Sequence, residues 1–343
     1  MTTTRRKFLA GTAAGAALTL GSGLPRIALG APEIRKIKIT QAITSLAFIQ
    51  NYVAQQLGYF KEVGLDADII VTQGGGPDVQ AVLAGDAAFT INDGAQVLPA
   101  LAKGQKLTCL LSTLDRNVIN VTMNKAVADK LRISGSTPID QKLAALKGLK
   151  IGITRPGALT WQLARFNLAK AGLNADRDAT VVGLGGGLAV AAALEKGDVD
   201  VIYISVPLGE RVVHAGKAIT LIDNARGEDP FLPSFLMEGL WTTPDFVAKN
   251  PNTCQAAVKA LHRASSFIRN SDVPAITKVL SSTFGAFGAD VLRIGVEKTR
   301  PAVSANGRVD QKALDYTQEV LSINKIIDRK FSLNQVFDPR FIG

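Results

Sequence analysis

The residues of this 343-residue chain best able to do chemistry lie where apolar runs give way to helical patterns. Thr154-Arg155-Pro156-Gly157-Ala158-Leu159-Thr160-Trp161 follows the run Leu149 to Ile153 and opens a helical pattern. A helix start offers unpaired N–H groups and a partial positive charge. Arg155 adds a permanent charge whose fork suits carboxylate or sulfonate oxygens. Gly157 lets a ligand approach, Thr160 supplies a hydroxyl, and Trp161 supplies a wall for an apolar or aromatic tail. Plainer uses stand beside these: Arg155 in solvent, Thr160 as a helix cap, Trp161 in the core. As a ligand site the stretch predicts an organic anion, a sulfonate or carboxylate. Losing a hydrogen bond to a charged group costs about 1.5–3 kcal/mol, so Arg155→Ala is expected to weaken binding roughly 10- to 150-fold.

Other candidates share that position at a strand end. Thr44, Ser45 and Leu46 follow the first apolar run, with Ser45 equally suited to capping the next helix. Gly75 and Gly76, and Gly186 in the second triple glycine, let backbone N–H groups approach a ligand or simply make a tight turn. Asn92 and Asp93 end a third run, Ser205 holds the matching place further on, and Glu238 lies inside the apolar stretch Phe235 to Trp241. Catalytic sets are missing. There is no Gly-x-Ser-x-Gly elbow, and His214 and His262 sit among charges away from a nucleophile. Cys109 and Cys254 are isolated and read as buried thiols, and no Cys/His pair has metal-ligand spacing. We therefore expect no enzyme, no metal and no cofactor.

The elements that must position these residues come as a repeat of about 55 residues, from Lys36 to Phe89 and again from Leu149 to Val201. Each copy reads strand, Thr-bearing turn, helix ending in Gly-Leu, strand, triple glycine, Ala/Leu-rich helix, Gly-Asp turn, strand. From Lys38 to Gly74 is 36 residues and from Lys150 to Gly185 is 35. Two βαβαβ units predict two similar α/β lobes, with a ligand cleft beyond the carboxyl ends of their strands. The crossings between lobes are expected near Asn117 and Phe235. The last third reads as helices near 244–269, 274–282, 289–299 and 310–322, expected as a layer on the first lobe.

Gly58-Tyr59-Phe60-Lys61-Glu62-Val63-Gly64-Leu65, Gly74-Gly75-Gly76 with Ala81-Val82-Leu83-Ala84-Gly85-Asp86, Leu146 to Gly152, Val182 to Gly187 and Thr243-Pro244-Asp245-Phe246 form an ordered set of blocks. This set resembles the periplasmic solute-binding proteins of ABC importers, in the nitrate/sulfonate/taurine and thiamine-precursor group. The resemblance implies a two-lobed periplasmic-binding-protein fold (type II) that closes on a small-molecule ligand and hands it to an ABC permease in the inner membrane. It leaves two alternatives: binding or synthesis of a thiamine-pyrimidine-type heterocycle, and a loaded protein that docks a membrane sensor.

Thr4-Arg5-Arg6-Lys7-Phe8-Leu9, an Ala/Gly/Leu region and Ala28-Leu29-Gly30 read as a twin-arginine export signal over residues 1–31. The segment holds four basic residues and no acid, so its removal lowers the net charge from +10 to +6. Export to the periplasm argues against a nucleic-acid partner, and a monomer is expected. The remaining chain divides into lobe 1, residues 32–116 plus 234–343, and lobe 2, residues 117–233.

Overall fold

The computed structural model describes residues 30–342, so the export signal expected over 1–31 lies outside the described residues apart from Gly30 and Ala31. The first repeat supplies β1 (Lys36–Gln41), β2 (Asp66–Val71) and β3 (Phe89–Asn92), followed by β4 (Thr108–Leu114). After β5 (Ile119–Asn124), the second repeat supplies β6 (Lys150–Ile153), β7 (Thr180–Gly183) and β8 (Val201–Ser205). Then come β9 (Ala218–Ile222) and β10 (Glu238–Thr242). They build two mixed sheets, ordered β2-β1-β3-β10-β4 and β7-β6-β8-β5-β9. In each, three parallel strands of the repeat are followed by one antiparallel strand that has just crossed from the other lobe. The strands β3 and β8 are buried along their whole length, as a strand covered on both faces must be.

The pairing fixes the repeat's register. Ile39 pairs with Phe89 and Ile151 with Val201, a constant offset of 112 positions. The second-strand helices start at Gly75 and Gly187 with Gly74 and Gly186 as caps, at that same offset. The one-residue mismatch between the triple glycines is therefore only apparent. Gln73 is the true counterpart of Gly185, and both have positive φ, +67° and +87°.

The crossings run over residues 115–118 and 223–237 and touch, the Phe235 N–H donating to the Asp115 carbonyl at 3.0 Å. The return strand starts at Glu238, three residues later than its apolar run. Unanticipated elements are β9 and the short helices Lys125–Leu131 and Ile139–Ala144, whose charged sequences carry little apolar periodicity. Helix Pro251–Asn270 buries Cys254, Ala257, Val258, Leu261, Ala264 and Ile268 at helical spacing, against β4 and helix Ile49–Gln56. The layer is not confined to the first lobe. Helix Ala289–Thr299 touches Leu208–His214, and helix Gln311–Ile323 touches both Gly94–Ala102 and Leu159–Lys170. Cys109 and Cys254 are free and buried. Among the described residues no helix is long and apolar enough to cross a membrane.

Candidate ligand site between the lobes

The carboxyl ends of the strands face each other across a narrow, partly open pocket lined by residues of both lobes. Five of the six strand ends of the repeat send residues to it, β7 being the exception. Ile43 and Thr154 follow β1 and β6, Gln73 and Gly74 follow β2, and Asp93 and Ser205 close β3 and β8. The crossing strands add Ile119 and Glu238, and the leading helices add Phe48 and Thr160. Most of the wall is apolar.

Of the residues picked from sequence, Gly75, Asp93, Thr160, Ser205 and Glu238 line this cavity. The others are placed elsewhere, each for a local reason. Ser45 caps the turn Leu46–Phe48, accepting from the Ala47 N–H, while Thr44 is exposed. Leu46 is fully buried, and its N–H donates to the Val206 carbonyl of the other lobe at 3.0 Å. Asn92 ties its strand to the glycine turn, Nδ2 donating to the Gly75 carbonyl at 2.9 Å. Gly76 is exposed over open space. Gly157 offers its carbonyl to Nε2 of Gln96 (2.9 Å) and of Gln162 (3.0 Å). Gly186 sits opposite the Gln73 side-chain oxygen. Trp161 is half-buried under the Arg165 guanidinium, 4.7 Å from its ring centre, rather than walling the cavity.

Arg155 is placed beside the pocket lining. It is half-buried, and its guanidinium lies against Gly74 of the other lobe so closely that a Cβ there would meet it at 2.7 Å. It does not line the cavity. Its guanidinium makes an interlobe contact with Gly74, which does line the pocket. Thr160 does reach the cavity, yet its hydroxyl is already engaged with the Thr154 hydroxyl at 2.8 Å and the Thr154 N–H at 3.1 Å.

The cavity's own charges are acidic. Asp93 is 7% exposed and caps helix Gly94–Ala102, accepting from the Gln96 N–H at 2.9 Å. Burial nonetheless pushes its carboxyl up to about 7. Glu238 is 3% exposed, and its Oε2 has no hydrogen-bond partner. Burial, reinforced by Asp93 and Asp78, raises its carboxyl well above the usual range. Asp78, one turn behind the wall, is bonded to the Thr72 hydroxyl at 2.6 Å and is raised to about 7, again by burial. The two acids lie at the end of the ladder in which Gly239 pairs with Asn92, and both line the pocket. No basic residue lines the cavity among the described residues.

Sequence reasoning missed Gln73 and Phe48. Gln73 carried a usable signal, because it stands where the other copy has glycine in a left-handed conformation. That geometry disfavours a side chain by roughly 1–2 kcal/mol, and residues held so are concentrated at functional sites.

The model of the family described as NMT1/THI5 like matches residues 45–273. The chain belongs to that family. Among similar proteins of this NMT1/THI5-like chain is YtlA of Bacillus subtilis (strain 168), whose name proposes a binding protein. It is 19% identical over 88% of this chain and 87% of its own. A solved structure from Bordetella bronchiseptica RB50 is 25% identical, with a TM-score of 0.76 over 90% of this chain and 96% of its own. The alkanesulfonate-binding protein SsuA from Xanthomonas axonopodis pv. citri, bound to MOPS, has a TM-score of 0.70 at 16% identity, over 90% and 99%. The NMT1/THI5-like chain has the two-lobed periplasmic-binding-protein fold of these neighbours.

Proposed function

We propose that the protein is an extracytoplasmic solute-binding protein that captures one small organic molecule between its lobes and delivers it, unaltered, to an ABC permease. The carrying observation is the mostly apolar pocket built jointly by the strand ends of both lobes, with two adjacent crossings as the only covalent links between the sheets among the described residues. Such a site is entered when the lobes part and is sealed when they meet. The direct bonds across it, Leu46 to Val206 and Gln96 to Gly157, belong to the sealed form. The SsuA likeness fits the same role. The twin-arginine signal supports periplasmic delivery.

Small-angle scattering of the mature protein, with and without a ligand whose binding is confirmed calorimetrically, tests this reading. The loaded protein should have the smaller radius of gyration, and the ligand should be recovered intact by mass spectrometry. An unchanged radius, or a converted ligand, overturns it.

A further inference from the structure

We infer that the ligand is an organic cation or an N–H-rich base with an apolar body, held at its nitrogen end by Asp93 and Glu238. The inference rests on the solute-binding reading and names the chemistry of that same site.

Three independent observations converge. The first is geometric: two buried acids, Asp93 and Glu238, both line the pocket between the lobes, beside the end of the ladder where Gly239 pairs with Asn92. Like charges near each other in a buried site disfavour each other's ionised form. The second is an orphan acceptor: Glu238 is buried, faces the cavity and leaves Oε2 unbonded. Buried polar atoms are normally satisfied, and an exception inside a cavity marks a missing partner. The third is the absence of a counter-charge. No lining residue is basic among the described residues, and the charges acting on Glu238 are those of Asp93 and Asp78, both of its own sign. Arg155, the cation acting on Asp78, lies against Gly74 outside the lining.

A ligand nitrogen between Asp93 and Glu238 would supply both the donor and the charge. Protonated amines, amidines and aminated nitrogen heterocycles have that form, and Phe48, Ile119 and Ile204 would enclose the carbon skeleton. A metal ion fits less well, because among the described residues no three acidic, His or Cys side chains converge as metal ligands. A sulfonate or carboxylate would face two acids and would bind only with both protonated.

Matched ring compounds make the test. Titration calorimetry at pH 7.5 on the mature protein compares benzamidinium, benzylammonium and 4-aminopyridine with benzoate and benzenesulfonate. A cationic probe should bind at least about tenfold tighter than the anions of the same ring. Glu238→Gln, nearly isosteric, should weaken that probe roughly 10- to 100-fold, as expected for a lost charge-assisted hydrogen bond. Asp93→Asn, which keeps the helix cap, should act in the same direction, and melting curves verify that both variants are folded. Tighter binding of an anion, unchanged affinity of the cation for Glu238→Gln, or no binding by any cationic probe overturns the inference. Closure around an anion in scattering would do so while leaving the solute-binding reading intact, whereas conversion of a probe would remove that reading as well.

Discussion

Two groups of buried acids in this molecule are treated in opposite ways. Near the second crossing, Glu210 and Asp223 share one cation, the Lys298 ammonium, at 3.1 and 2.8 Å. Asn120 adds a bond to Glu210 at 2.8 Å. Burial pulls Lys298 down, and the two carboxylates more than offset it, holding the ammonium above its ordinary range. In the cavity, no cation among the described residues pairs with Asp93 or Glu238. The chain thus pairs buried carboxylates where they join helix Ala289–Thr299 to the second lobe, and leaves them unpaired where a ligand can enter. An unpaired buried charge costs several kcal/mol, so the pocket pair would gain from a ligand cation in a way the Lys298 cluster would not.

The largest way to break this contrast is Lys298→Met. Removing one partner of a buried ion cluster costs about 3–5 kcal/mol, and the variant should melt several degrees lower by calorimetry. A melting temperature within a degree of the parent would mean that the cluster is not structural.

Next is Asp93→Ser, which writes into the first repeat the residue found 112 positions later, Ser205. Serine keeps the helix cap but removes the charge. Affinity for a cationic probe should fall roughly 10- to 100-fold, while unliganded stability should hold or rise. A destabilised variant with full affinity would reverse the assignment.

The unpaired acids also predict a pH dependence. Asp78 and Asp93 are raised from 3.8 to about 7 by burial, so the folded state holds more protons than the unfolded chain between those values. Stability of the unliganded protein should therefore be greater near pH 5 and fall as pH rises toward 7. Acids lowered by surface partners, such as Glu195 beside Lys217, lose their contribution only at more acidic pH. Urea denaturation at pH 5 and 7.5 measures the slope, and combining Asp93→Ser with Glu238→Gln should flatten it. A parent protein more stable at pH 7.5 would contradict the unpaired state of these acids.

The smallest expected effect is that of Arg155→Ala. With the guanidinium on Gly74 at the rim, affinity should change by less than about threefold, and stability by at most about 0.5 kcal/mol, as at other surface positions. A tenfold loss in titration calorimetry would return Arg155 to the site.

Much of this was legible in the sequence because it depends on local pattern. The alternation of apolar strands, Gly-Leu helix ends and Gly-Asp turns in two copies dictates two βαβαβ lobes, and strand ends dictate where the cleft lies. Asp93 and Ser205 were found through that rule, and Glu238 as a carboxylate inside an apolar run. Direction and partnership were decided only in three dimensions. Arg155 lies in the loop after β6 and Glu238 opens β10. Contact with Gly74 turns the first to the rim, while strand pairing next to Asn92 turns the second into the cavity. Which acids find a cation and which do not depends on residues 75 to 88 positions away, because a buried charge is balanced by whatever side chain packing brings within a few ångströms. Spacing along the chain carries no record of that distance.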